Sequence, residues 1–120
     1  MDAILAKKLQ LTPGQALRTL HAPDGFEGGV PHPTTEDASA PATQVFVTTF
    51  AEAEERVAPA VAAALAEDLA WVAYPKAGKL GTDLNRDSLA AFMTARGVRP
   101  VRQVAIDETW SALRFRPAVR

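Results

Sequence analysis

The run Leu69-Ala-Trp-Val-Ala-Tyr74 is apolar at every position. A strand with one face in water alternates polar and apolar side chains. An unbroken apolar run predicts instead a central parallel strand covered by helices on each side. The flanking residues supply the rest of such a sheet. Gln44–Phe50, built around Val45, Phe46 and Val47, reads as a preceding strand. Ala51–Glu67 reads as helix, with Val57, Val61, Ala64 and Leu65 on one face. Pro59 cannot donate to a helix ladder, so a break is expected near Ala58 with a second helix starting there. Asp83–Arg96 reads as a further helix with Leu89, Phe92 and Met93 inward, Thr82 or Asp83 as cap and Gly97 as stop. Val101–Ile106 and Ala112–Arg116 predict a closing strand pair that turns through Asp107–Ser111. Strand, helix, strand, helix, strand is the order of an α/β fold: a mostly parallel sheet, with an antiparallel strand added by the C-terminal hairpin.

The first third is less regular. Residues 3–11 read as a short helix, Thr12–Gln15 as a turn and Ala16–His21 as a strand. Residues 22–43 are rich in Pro and Gly and read as a flexible segment, with Phe26 as an anchor into the core. The 120 residues are expected to form a single domain, 1–120.

Composition narrows the chemistry. Without cysteine, thiolate catalysis, disulfides and Cys-ligated metals are excluded. The two histidines, His21 and His32, do not fall at a zinc spacing, and Ser111 lacks the glycine elbow of a serine hydrolase. No stretch approaches the roughly 20 apolar residues of a membrane helix. Met1–Leu9 has no signal-peptide pattern, and the expected location is the cytoplasm. Net charge is −1 but lopsided: residues 1–68 carry −6 and residues 69–120 carry +5. Interleaving of the halves in space would neutralise this; a basic half left open would attract an anionic partner.

Candidate site residues gather in the second half. The loop Pro75-Lys-Ala-Gly-Lys-Leu-Gly-Thr-Asp83 lies between a strand and a helix, where free N–H groups, Lys76 and Lys79 would favour an anion. It lacks the spacing of a P-loop, and Asp83 would repel a phosphate. Asp83, Asn85, Arg86 and Asp87 crowd one helical turn, and Arg86 and Asp87 could face Asp107 and Glu108 on the hairpin turn. Carboxylates so grouped can serve acid–base chemistry or a cation, but more often complement a helix dipole or clamp an arginine. Trp110 suits the closing of a core, with stacking on a planar ligand as the alternative. Arg114 and Arg116 alternate with Leu113 and Phe115, which reads as a charge-guarded edge strand.

Trp71-Val-Ala-Tyr-Pro-Lys76, Thr82-Asp-Leu-Asn-Arg-Asp87 and the segment Val101–Pro117 together resemble a bacterial family, domain of unknown function 3052. Ala6–Gly14 and Ala22–Phe26 resemble its start. The resemblance implies a three-layer Rossmann-like fold similar to a cut-down methyltransferase, without an established activity. His21-Ala-Pro-Asp-Gly-Phe26 stands where a cofactor site would have a Gly-rich turn, so no cofactor is expected. No metal is expected either.

The functional expectation is a non-enzymatic or pseudo-enzymatic binding module for a small anionic ligand or a protein partner, with Lys76, Lys79, Asp83, Arg86 and Asp107 as the site. One alternative is a small methyltransferase-related enzyme acting on an anionic or nucleoside-like substrate. A weaker one is nucleic-acid binding through Lys76, Lys79, Arg99, Arg102, Arg114 and Arg116. No membrane partner is expected, and a homodimer is compatible with the chain.

Overall fold

A computed structural model describes residues 17–22, 34–35, 42–76 and 78–118. The expected helix at 3–11, the turn at 12–15, Phe26 and most of 22–43 lie outside them. The strands are β1 (Leu17–Leu20), β2 (Thr34–Thr35), β3 (Ala42–Phe46), β4 (Leu69–Pro75), β5 (Val98–Ala105) and β6 (Trp110–Pro117). The helices are α1 (Phe50–Arg56), α2 (Ala58–Leu65) and α3 (Arg86–Thr94), with a 3₁₀ turn at Lys79–Gly81. Pro59 stands in the first turn of α2, where its missing N–H is harmless, and the break before it separates α1 from α2.

The strands form one open sheet in the order β2-β1-β3-β4-β6-β5, with β2 only two residues long. Pairings β2/β1, β1/β3 and β3/β4 are parallel; β4/β6 and β6/β5 are antiparallel. The sheet is therefore mixed rather than mostly parallel. The cause is the hairpin, whose second strand returns into the place between β4 and β5. Consequently β6, with Arg114 and Arg116, is an interior strand and not the expected edge, which β5 forms instead.

Residue alternation then builds two cores. On one face Val45, Val72, Leu113 and Phe115 pack against Ala53, Val57, Ala60, Ala64, Leu89 and Met93 from the three helices. On the other, Ala42, Phe46, Trp71, Ala73, Val104, Trp110 and Ala112 are buried together. Phe46 and Trp110 meet edge to face, 5.2 Å between ring centroids. None of α1, α2 and α3 contributes to this second cluster, so the described helices all cover one face. β4 sits at the centre with Ala70 to Ala73 fully buried, but it is parallel only to β3 and antiparallel to β6. The described helices cover one of its faces, where the apolar run predicts helices on both. No helix among the described residues is long and apolar enough to cross a membrane.

Two helix starts differ from the sequence reading. The strand ending at Phe46 releases Thr48 and Thr49; Thr49 caps α1 by accepting from Glu52 N at 3.2 Å. α3 begins at Arg86, not Asp83, because Asn85 and Ser88 form a reciprocal capping box. It ends as expected near Gly97, whose φ of +90° suits glycine.

Candidate functional site

Where β4 ends, the first turn of α3 and the β5–β6 hairpin border a cleft of about 370 Å³, lined by Tyr74, Lys76, Asn85, Arg86, Gln103 and Ser111. Its floor follows from register. Tyr74 pairs with Ser111 across β4 and β6, and Ala105 pairs with Ser111 across β6 and β5. Gln103, two residues before Ala105 on the same face, donates from Nε2 to the Tyr74 hydroxyl at 3.0 Å. The accepted bond leaves the phenolic proton available to a ligand. Burial, opposed by the nearby Arg86 charge, holds the Tyr74 hydroxyl above its ordinary value of 10.0. Tyr74 is thus a neutral donor at physiological pH and not a base.

Among the described residues, the lining carries two cations and no carboxylate. Asp87 is the acid beside it, at 3.2 Å from the Arg86 guanidinium, and its side chain is 91% exposed. A pair so open to water contributes little, and Arg86 can exchange it for another anion.

The structure brings Lys76 and Arg86 together at this cleft and sends the other three candidate residues elsewhere. Asp83 Oδ1 accepts from Phe50 N at 2.9 Å, tying the loop before α3 to the first residue of α1. Thr82 reinforces the tie: its hydroxyl donates to Thr48 O and accepts from Leu84 N at 3.0 Å. Asp107 Oδ1 accepts from Thr109 N at 2.8 Å and Trp110 N at 2.7 Å, closing the hairpin turn. Lys79 lies exposed on the 3₁₀ turn and does not line the cleft.

Gly78 and Gly81 also have a local reason. Their φ values of +80° and +66° demand glycine, yet a Cβ at either would meet nothing within 4 Å. They turn the chain rather than open a cradle for a phosphate. Among the described residues, no group of three His, Asp or Glu side chains could hold a metal ion.

Tyr74, Asn85, Gln103 and Ser111 also line the cleft, and none of them stands out in the sequence as a ligand residue. Asn85 was readable as part of a polar turn and Ser111 as a hairpin hydroxyl. Gln103 carried no signal, because only the β5/β6 register brings it over Tyr74. A second concavity of about 430 Å³, lined by Val57, Val61, Leu65 and Arg96 among others, is mostly apolar. Its arginine is already committed: Arg96 donates to Phe92 O at 3.0 Å and stacks over the Phe92 ring. Comparison with protein-family models, curated proteins and solved structures found no match.

Proposed function

We propose that this chain is a non-enzymatic α/β module that binds a small anion in the cleft at the end of β4. The observation that carries the proposal is the lining itself: Lys76 and Arg86 converge with the neutral Tyr74, Asn85, Gln103 and Ser111, and no acid lies among them. Cations supply attraction and the neutral groups fix orientation, as small-ligand sites require. The crevice also lies beyond the carboxyl end of a central strand, where open α/β sheets bind ligands.

The residues give less support to turnover. Of Asp83, Arg86, Asp87 and Asp107, on which an enzyme would draw, Asp83 and Asp107 are engaged with backbone N–H groups outside the cleft. A Tyr74 hydroxyl held neutral does not replace them as a base. Membership of the family of domain of unknown function 3052, and with it a three-layer Rossmann-like fold, belongs to the same proposal; it rests on the motifs in residues 69–117.

A thermal-shift panel of inorganic phosphate, pyrophosphate, small dicarboxylates and nucleoside monophosphates tests it, since a ligand of the folded state raises apparent stability by mass action. At least one anion should raise Tm in the wild type, and Arg86→Gln should reduce that rise by more than half. A flat response to the whole panel, or equal responses in both proteins, would overturn the proposal.

A further inference from the structure

The β5–β6 ribbon carries four arginines, and the register sets them opposite one another: Arg99 faces Arg116, and Arg102 faces Arg114. A bulge between Pro100 and Arg102 keeps both pairs on the same face, because it absorbs the odd residue Val101. That face is opposite the helices. Leu113 and Phe115 point to the helix-covered core, whereas Arg114 lies in register with Trp71 of the second face. The result is a block of two cross-strand pairs, stepped by about 7 Å along each strand and about 5 Å across.

Like charges placed directly opposite destabilise a ladder. Among the described residues Glu67 reaches Arg116 at 3.3 Å, and no ion pair engages Arg99 or Arg102. Both of these are exposed. Burial above all, with Arg116 and Arg102 beside it, lowers the pKa of the Arg114 guanidinium. The block is separate from the cleft, which opens on the helix side around Tyr74.

We infer that this arginine face binds the phosphodiester backbone of single-stranded nucleic acid. All four cations are arginines, whose planar forks match phosphate oxygens in pairs where lysine offers only a point charge. A flexible strand, with one charge per nucleotide, can follow the two stepped rows. An acidic peptide would need either that same fork geometry or a place in the sheet. Strand addition is blocked, since Pro100 and the bulge interrupt the β5 edge. A bilayer would need an apolar wedge beside the cations, and Val101, 37% exposed, is the one large apolar residue exposed on β5 and β6. Recognition would be indifferent to sequence, because the block holds no aromatic platform for bases.

Fluorescence anisotropy with a labelled oligothymidylate, a poly-glutamate peptide of equal charge and vesicles containing phosphatidylserine tests the assignment, each at several salt concentrations. The oligothymidylate should bind at low salt and weaken as salt rises, with a log–log slope near −1.4 to −2.1 for about two to three phosphate contacts. Arg99→Gln/Arg102→Gln, at two exposed positions, should fold normally by circular dichroism, weaken binding at least fivefold and shrink the slope by about 1.4. Absence of binding at low salt would overturn the inference. So would an unchanged affinity in the folded double variant, or peptide or vesicles binding as tightly as the oligothymidylate. Arg102→Gln alone, read against the wild type in the same assay, guards against misfolding of the double variant: an intermediate affinity supports the inference and an unchanged one contradicts it.

Discussion

Tyr74 is the only tyrosine in the chain, so tyrosinate absorbance reports on it alone. Its hydroxyl accepts from Gln103, stands near Arg86 and is held above 10.0 chiefly by burial. The sign of the linkage follows: the folded chain binds this proton more tightly than the unfolded chain does. Its stabilising contribution is complete below pH 10.0 and is lost as pH rises through the higher folded value. An alkaline absorbance titration should therefore show a midpoint above that of the urea-unfolded chain. A folded midpoint at or below the unfolded one would mean that the ring is not desolvated as described. Asp83 offers a complementary test of position. Because its carboxylate holds Phe50 N and not a ligand, Asp83→Ala should cost about 1 kcal/mol in urea unfolding while leaving the thermal response to the anion panel intact.

At the level of elements, the chain was readable where one local signal had one structural meaning. The apolar run 69–74 became a central strand, though parallel on one side only, Pro59 marked the boundary of α2, and Gly97 ended α3. The misreadings occurred where a pattern fits two environments. Alternation in Trp110–Pro117 is the same whether β6 lies at the edge or inside the sheet, and only pairing with β4 decides. Asp83 could cap a helix by composition, but Asn85 with Ser88 two and five residues on supplied the reciprocal box, leaving Asp83 for α1. The candidate site divided in the same way. Lys76 and Arg86 were visible as charges near a strand end, whereas Gln103 and Ser111 enter through register between residues far apart in sequence.

On the scale of the whole molecule, the sheet buries both faces, and the face away from the three described helices carries an internal cost. Gln44 is fully buried, next to Trp71 in register, and among the described residues neither atom of its amide has a hydrogen-bond partner. A buried polar group without a partner destabilises by about 1–3 kcal/mol. Gln44→Met, close in shape and free of the amide, should therefore raise the urea midpoint without changing the m-value. A loss of stability on that substitution would show that the amide is satisfied in solution. The opposite side of the sheet holds the anion cleft, and the arginine block lies on the Gln44 side, so the two basic regions can be told apart experimentally.

Heteronuclear NMR during titration with the anion of the thermal-shift panel that raises Tm most tests the cleft most directly, because it reports where an anion sits as well as whether it binds. Saturable shifts are expected at the backbone amides of Lys76, Asn85, Arg86 and Ser111 and at the Gln103 side-chain amide, and Arg86→Gln should diminish them. Shifts confined to Arg99, Arg102, Arg114 and Arg116, or no saturable shift around Tyr74, would contradict an anion-binding cleft at the end of β4.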